Sequence, residues 1–241
     1  MSYPAPSVPE GRGGPQLIPR PDDWRPGQAA PWASLDDRSL PLDLVVSALE
    51  GREPSGIRGR PRGDEHRSGV LVALYDQPGK GAHVVLTRRS SQLASHTHEV
   101  SFPGGRHEPD DVDLWATAVR EANEEVHLDP TLPHLVGCLD PLVTVGSRNL
   151  IHPFVAVLPS PPDLVANPEE VEAVRLVALD ELLRDDVYRE EEWTRHGDPW
   201  ILTFFELVGD TVWGATAAML RQLLVLSLGL DDHRNYRPDD A

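Results

Sequence analysis

Several short stretches of the chain alternate or concentrate hydrophobic residues in the way that β-strands do. Residues 69–76, GVLVALYD, and residues 83–90, HVVLTRRS, are rich in β-branched and apolar residues, and the turn-forming sequence QPGKGA lies between them. This arrangement predicts a β-hairpin. Further strand-like runs follow as HLVGCLDPLVTV, LIHPFVAVL and WILTFFELV.

Apolar residues recur at helical spacing elsewhere. The series Trp115, Val119, Ala122 and Val126 predicts an amphipathic helix over roughly 113–127. The stretch VWGATAAMLRQLLVLSLGL has similar spacing and is expected to cover one face of a sheet, whereas VEAVRLVALDELLRD changes from strand-like to helical. Strands interleaved with helices predict an α/β fold with layers of helices on a mixed β-sheet.

Composition divides the chain into parts. A disordered tail rich in Pro and Gly is expected because its residues cannot bury enough surface to become ordered. The predicted parts are this tail at 1–32, a helical segment at 33–50 that starts at Ser34 or begins again at Pro41, an Arg-rich loop or linker at 51–68, the main domain at 69–230, and a polar C-terminal tail at 231–241.

The charge of the protein narrows the choice of partners. Lys and Arg number 22 and Asp and Glu 39, which gives a formal net charge of -17. This charge argues against unspecific binding to nucleic acid or to an anionic membrane, and a phosphorylated ligand would need a divalent cation or a local arginine cluster. One cysteine, Cys138, excludes an intramolecular disulfide, and the start of the sequence is unlike a signal peptide. A cytoplasmic location is therefore expected.

The predicted helix at 113–127 carries an unusual concentration of negative charge. Glu124 and Glu125 lie three and four positions after Glu121, so the three share one side of the helix. Like charges at this spacing destabilise a helix by roughly 0.2–0.5 kcal/mol per pair unless a positive charge lies against them. Two interpretations are open at this point, a solvated acidic face or a platform for a metal ion.

The sequence around these glutamates resembles the signature of the Nudix hydrolases. The stretch GGRHEPDDVDLWATAVREANEEVHL follows that family's pattern of a glycine, a spaced acid and then R-E-U-x-E-E-x-G-U, with U aliphatic. The matching residues are Gly105, Asp111, Arg120, Glu121, Ala122, Glu124, Glu125 and Leu128. The loop between glycine and arginine is one residue longer than in the general signature, the spaced acid is Asp, and His127 replaces the closing glycine.

A second motif resembles the coenzyme A pyrophosphatase branch of the family, in which L-T-x-R-S precedes F-P-G-G. The stretch VLTRRSSQLASHTHEVSFPGG has both parts at the expected distance, and that branch has a similarly lengthened Nudix loop. Ala94 stands where the branch usually has arginine, and His98 where it usually has glycine. The resemblance implies the Nudix fold, an α/β/α sandwich with a mixed β-sheet.

The resemblance also implies a reaction. It is metal-dependent hydrolysis of the diphosphate linkage in a nucleoside diphosphate derivative, with coenzyme A or an acyl-CoA as the preferred substrate. The products would be 3',5'-ADP and a 4'-phosphopantetheine. ADP-ribose, a dinucleotide or another nucleotide is the alternative substrate, and a Nudix-fold module that binds a nucleotide without hydrolysing it is the alternative from a different class. The partner in each case is a small-molecule nucleotide.

Roles for individual residues follow from the same resemblance. Hard Mg²⁺ or Mn²⁺ prefers carboxylate oxygens, and such a cation can acidify a water near phosphorus. The candidates are Glu121, Glu124 and Arg120 for catalysis, Glu121, Glu124 and Glu125 for metal, Arg88, Arg89, Gly104 and Gly105 for substrate, and Glu170 as an additional acid. For Arg88 and Arg89 a structural salt bridge is an equal alternative. A zinc site at His96, His98 and His107 is disfavoured because no cysteine ligand accompanies them.

Overall fold

The structure is a computed structural model that describes residue 6 and residues 8–91, 97–144, 147–195 and 197–232. Its helices are α1 (Leu42–Leu49), α2 (Leu114–Val126), α3 (Leu179–Leu182) and α4 (Gly214–Ser227). Its strands are β1 (Arg25–Pro26), β2 (His66–Gln77), β3 (Gly81–Arg89), β4 (Val100–Ser101), β5 (Gly104–Arg106), β6 (His134–Cys138), β7 (Leu142–Val143), β8 (Asn149–Val157), β9 (Val171–Ala178), β10 (Tyr188–Arg195), β11 (Asp198–Leu207) and β12 (Asp210–Trp213).

The main sheet is mixed, as the sequence predicts. Its strands run in the order β4-β3-β2-β8-β6, with β5, β7 and β9 paired to β2, β8 and β3. The pairs β2 and β3 are antiparallel, which confirms the predicted hairpin, whereas β2 and β8 are parallel. The first half of β2 therefore lies between β8 on one side and β5, which precedes the segment that leads into α2, on the other.

The alternating side chains of β2 separate two hydrophobic clusters. Leu71, Ala73 and Tyr75 point to α2 and pack with its buried residues. Val70, Val72 and Leu74 belong to the larger cluster on the other face, to which α1 and α4 contribute. Because successive residues of a strand face opposite sides, one buried strand supplies both cores. The main sheet thus lies between helices on both faces, in agreement with the predicted α/β/α arrangement.

A second sheet was not anticipated from the sequence. It has the order β1-β10-β11-β12 and packs on the α4 side of the molecule, where Phe205 and Val212 join the larger cluster. Strand β10 has the sequence YREEEWTR, which has no apolar alternation. Its fully buried Glu191 is neutralised by Arg20 at 2.7 Å, and Arg189 also contacts it. Ion pairs between distant segments stabilise this strand, and sequence periodicity does not reveal them.

The prediction that residues 1–32 form a disordered tail is wrong for the described part of that segment. Trp24 and Trp32 are buried, and β1 pairs with β10. The Trp32 indole N–H donates to the carbonyl of Leu183 at 3.0 Å. Isolated large aromatic residues bury enough surface to hold a Pro- and Gly-rich chain against a preformed surface. Residues 1–5 and 7 lie outside the described residues.

Other predicted boundaries also differ from the structure. The segment at 33–50 contains the helix α1 alone, which begins after Pro41 and not at Ser34. The Arg-rich segment at 51–68 is loop up to β2, and Arg52 and Arg58 in it form ion pairs with the buried Asp140 at 2.7 and 3.2 Å. These contacts fix the loop to the domain.

The start of the predicted C-terminal tail is also held. Asp232 contacts Arg58 and lies 2.7 Å from Arg221, so its first two residues belong to the folded unit. Residues 233–241 lie outside the described part of the chain. Among the described residues, no helix is both long and apolar enough to cross a membrane.

Candidate functional site

The helix α2 presents the acidic face predicted from the sequence. Its first turn is capped by Asp113, whose carboxylate accepts the backbone N–H of Ala116 at 2.7 Å. Ala118, Ala122 and Val126 are buried against the main sheet. This packing fixes the rotation of the helix, so that the glutamates line the side next to β5 and the loop before β9.

Arg120 organises the carboxylates around it. Its guanidinium donates to Asp111 at 2.8 and 3.1 Å, to Glu124 at 2.9 Å and to Glu121 at 3.1 Å. Hydrogen bonds from Arg120 hold the pKa of Asp111 well below its usual range, and Asp111 in turn raises the pKa of Arg120. The spaced acid of the motif therefore anchors Arg120 through a two-point contact with its guanidinium.

Thr117, which no sequence motif marks, completes this anchor. Its hydroxyl donates to Asp111 at 2.8 Å and lies 3.0 Å from Nδ1 of His107. The only sequence signal is its place one helical turn before Glu121 on α2. The contact itself depends on the loop folding back over the helix start, which no local pattern predicts.

Glu125 is the most unusual residue of the acidic face. It is only 2% exposed, and its Oε2 has no hydrogen-bond partner among the described residues. Burial raises its pKa to about 8, and repulsion by Glu121 acts in the same direction, whereas Arg89 and the backbone N–H of Gly104 oppose the rise. A buried carboxylate with a free oxygen is costly without a cation close by.

Glu121 lies beside it in a tight space. Burial raises the pKa of Glu121, and Arg120 opposes the rise. A Cβ atom on Gly105 would lie 2.3 Å from Glu121 Oε1, so the backbone of β5 reaches the carboxylate because residue 105 has no side chain. Gly104 precedes it with its N–H on the Glu125 side. Both predicted glycines thus border the acidic face.

The segment before β9 also reaches this face. The backbone N–H of Asn167 donates to the carbonyl of Glu125 at 2.8 Å, and the N–H of Ser90 donates to the carbonyl of Glu170 at 2.8 Å. The charge of Glu170 contributes to the raised pKa of both Glu121 and Glu125. The structure therefore brings Glu170 and Arg89 together with the glutamates of α2.

Arg88 is not part of this group. It forms ion pairs with Glu172 at 2.9 Å and Asp210 at 3.2 Å, and its side chain is 16% exposed. The alternative of a structural salt bridge, left open by the sequence, describes Arg88. Of the disfavoured zinc set, His98 contacts Glu172 and His107 contacts Thr117, while His96 lies outside the described residues.

The donor set fits a hard divalent cation. The groups on this face are carboxylate oxygens, which Mg²⁺ and Mn²⁺ prefer, and Glu125 has an oxygen to spare. No three His, Cys, Asp or Glu side chains in the described ranges are already grouped as a metal site, and Arg120 forms ion pairs with both Glu121 and Glu124. Glu121, Glu124 and Glu125 are the residues that would hold a cation.

The end of α2 has the backbone conformation expected at the replaced glycine. His127 is left-handed, with φ of 54° and ψ of 32°. Its Nδ1 lies 2.9 Å from the carbonyl oxygen of Val165. A side-chain contact thus accompanies a conformation that is unfavourable for residues other than glycine.

Comparison with known proteins gives the family. The sequence model of the NUDIX domain matches residues 65–200, more than half of the 241-residue chain. An uncharacterized Nudix hydrolase NudL from Enterobacter sp. is 31% identical over 204 residues, which cover 81% of this chain and 99% of that protein. A NudL from Photorhabdus laumondii is 38% identical over 160 residues, which cover 66% of this chain and 84% of the relative.

Plant proteins are similar over a shorter part of their length. Nudix hydrolase 15, mitochondrial, from Arabidopsis thaliana is 38% identical over 160 residues, which cover 64% of this chain and 56% of the plant protein. The chain spans about half the length of the two plant relatives that it matches. The match of the NUDIX domain and the near full-length match to NudL lead to one conclusion: the chain belongs to the Nudix hydrolase family.

Proposed function

We propose that this Nudix hydrolase cleaves the diphosphate linkage of coenzyme A or an acyl-CoA with the help of Mg²⁺ or Mn²⁺. The products would be 3',5'-ADP and a 4'-phosphopantetheine. The observation that carries the proposal is the buried Glu125, with an unpartnered oxygen and a raised pKa, beside Glu121 on one helix face. Burying such a group destabilises the folded protein, which indicates a functional role for it.

A bound divalent cation would neutralise charge on the phosphates and acidify an attacking water. The chain's own residues supply the remaining requirements. Glu125 contributes a buried carboxyl group, which a bound cation would hold in its ionised form by displacing the proton. Glu121 and Glu124 are the candidate proton acceptors, and Arg120 restrains both carboxylates within 3.1 Å of its nitrogens.

In the proposed hydrolysis one bond to phosphorus forms and another breaks. The water oxygen attacks one phosphorus, the bond from that phosphorus to the bridging oxygen breaks, and the proton of the water passes to a carboxylate. Arg89 is proposed to contact a phosphate of the substrate, because it lies next to Ser90, whose N–H is bonded to Glu170 at the acidic face. Gly104 and Gly105 would let the backbone approach the diphosphate closely.

The preference for coenzyme A rests on the second sequence motif, which runs from Leu86 through Arg89 and Ser90 to Gly105. Ala94, one of the two departures from that motif, lies outside the described residues. ADP-ribose, a dinucleotide or another nucleotide remains the alternative substrate. A binding module without turnover is the alternative from another class, and the intact Glu121, Glu124 and Glu125 argue against it.

A chromatographic assay of the purified protein tests the proposal. The substrates are coenzyme A, ADP-ribose, NADH and a deoxynucleoside triphosphate, each with about 5 mM Mg²⁺ or Mn²⁺, a concentration suited to weakly held hard cations. We expect coenzyme A to be cleaved best, and Glu124→Gln serves as the inactive control. Faster turnover of ADP-ribose or NADH would show that coenzyme A is not the preferred substrate. Nucleotide binding without any product would show that the protein is a binding module and not an enzyme.

A cytoplasmic location is part of the proposal. The single Cys138 is consistent with a reducing compartment. The partner is a small-molecule nucleotide, and the net charge of -17 argues against nucleic acid and anionic membranes as partners.

A further inference from the structure

A buried amide from the amino-terminal segment connects three separate parts of the fold. Gln16 is 8% exposed, and its Nε2 donates to Asp210 at 2.9 Å and to the backbone carbonyl of His98 at 2.8 Å. Its Oε1 accepts the backbone N–H of Thr211 at 2.7 Å. Both ends of the amide are therefore satisfied inside the protein, which makes Gln16 a specific connection and not a surface contact.

These contacts belong to a closed ring of polar side chains. Asp210 accepts from Arg88 at 3.2 Å, Arg88 donates to Glu172 at 2.9 Å, and Glu172 lies 2.9 Å from Nδ1 of His98. The carbonyl of His98 accepts a hydrogen bond from Nε2 of Gln16, which closes the ring. We call these five residues, Gln16, His98, Glu172, Arg88 and Asp210, the Gln16 ring. They come from four distant parts of the sequence, since Arg88 and His98 are ten residues apart, and Asp210 is buried.

Arg175 strengthens the centre of the ring. Its Nε lies 2.6 Å from Asp210 Oδ2, as an ion pair without the alignment of a hydrogen bond. Asp210 thus faces two guanidinium groups and one amide. A buried carboxylate surrounded in this way is held in one position, because movement would leave a charge unpaired.

The ring is connected to the candidate active site because two of its residues are sequence neighbours of residues in that site. Arg88 precedes Arg89, and the strand pairing has an irregularity between these two residues. The backbone N–H of Arg89 donates to the carbonyl of Glu99 at 2.9 Å, and the N–H of His98 donates to the carbonyl of Arg89 at 3.2 Å. Glu172 is two residues after Glu170. Arg89 and Glu170, which reach the acidic face from outside α2, therefore lie one and two residues from a member of the ring.

We propose that Gln16 is a positioning residue that fixes Arg89 and Glu170 relative to Glu125. It acts through the backbone of His98 and through Asp210 and Arg88, and it contacts neither the substrate nor the cation. The inference rests on the proposed diphosphate hydrolysis for its effect on catalysis. It also assigns a role in the active site to the amino-terminal segment, which lies outside the matched residues 65–200.

Kinetics of Gln16→Ala test the catalytic part. We expect KM for the diphosphate substrate to rise about tenfold while kcat changes by less than about threefold. The reason is that a misplaced Arg89 weakens substrate binding more than it slows the chemical step. In a double-mutant cycle, Gln16→Ala should add less than about twofold to the KM of Arg89→Ala. The full effect of Gln16→Ala in the Arg89→Ala background would overturn the proposal.

Arg12→Ala is the matched control. Arg12 lies in the same segment and is also largely buried, but it forms ion pairs with Glu181 and Asp186 and donates to the carbonyl of Glu206, none of which is a member of the ring. Its loss should lower the melting temperature without changing KM. An equal rise of KM in Arg12→Ala and Gln16→Ala would mean that docking of the whole segment matters and that Gln16 has no special part.

Amide hydrogen exchange tests the proposal without any need for turnover. In Gln16→Ala, the backbone N–H groups of Arg89, Ser90 and His98 should exchange about tenfold faster, and they should keep their protection in Arg12→Ala. Unchanged protection at these positions would overturn the proposal. If the wild-type chain hydrolyses none of the tested substrates, the proposed function fails, and the exchange pattern still decides whether Gln16 fixes this segment.

Discussion

Gly105 lies so close to Glu121 that a Cβ atom on residue 105 would stand 2.3 Å from Glu121 Oε1. No real Cβ atom approaches an oxygen to this distance, so Gly105→Ala must displace the Glu121 carboxylate or the backbone of β5. We expect kcat/KM to fall at least about tenfold, because a small misplacement of a catalytic group is costly. Gly56→Ala is the control, since nothing lies within 4 Å of its Cβ position. Equal activity of the two variants would mean that the position of Glu121 is unimportant.

Removal of charge from the acidic face should abolish most of the activity. Glu124→Gln or Glu125→Gln is expected to lower kcat on the order of 10²–10⁴-fold, as loss of acid-base or metal assistance does. The comparison is Glu169→Gln, an exposed residue beside Glu170 whose change should leave kcat intact. Activity within about threefold of the wild type in both Glu124→Gln and Glu125→Gln would refute the assignment, and circular dichroism checks that the variants are folded.

The raised pKa of Glu125 predicts how stability depends on pH in metal-free buffer. Its ordinary pKa is 4.5, and its pKa in the folded protein is about 8. Between these values the folded protein binds more protons than the unfolded chain, so the free energy of unfolding falls as pH rises from about 4.5 to about 8. Above about pH 8, protonated Glu125 no longer contributes to the free energy of unfolding.

Glu125→Gln removes this dependence. Relative to the wild type, the melting temperature of the variant should rise by roughly 10 °C between pH 5 and pH 8, since a few kcal/mol are involved and each shifts the melting temperature of a chain of this size by about 2–4 °C. Differential scanning calorimetry in the presence of a chelator measures the effect, with Glu169→Gln as the exposed comparison. A constant difference between variant and wild type across this range would show that Glu125 ionises normally.

The end of α2 allows a test of backbone strain. His127→Gly relieves a left-handed conformation that costs a residue with a side chain roughly 1 kcal/mol, but it also loses the contact of Nδ1 with Val165. The two effects are similar in size, so the melting temperature should change by less than about 4 °C. His127→Ala loses the contact and keeps the strain, and it should melt lower than His127→Gly. The reverse order would show that strain at this position is negligible.

The sequence predicts those elements whose side chains report burial directly. The hairpin of β2 and β3 has uninterrupted apolar runs, and α2 has an apolar stripe beside its acidic face, so their positions agree with the structure within a few residues. The apolar pattern does not predict strand β10 or the ordered amino-terminal segment, because their side chains do not report burial in this way. Their burial depends on ion pairs such as that between Arg20 and Glu191, whose partners are far apart in the chain.

The candidate site was predictable in composition but not in arrangement. Spacing alone placed Glu121, Glu124 and Glu125 on one side of a helix, and it could not show that Glu125 is buried while Glu124 is half exposed. This difference arises because β5 and the segment before β9 cover one edge of the helix. Arg88 and Arg89 were equivalent in the sequence, and the alternation of the strand end gives them different partners.

The larger hydrophobic cluster extends beyond the residues that identify the family. Trp32 and Leu49 come before residue 65, and Leu220, Leu223 and Leu224 of α4 come after residue 200, yet all five are fully buried against the main sheet. A fragment trimmed to the matched segment would expose the apolar face of β2 to water and would be expected to aggregate. In this chain the unit of homology and the unit of folding are different lengths of polypeptide.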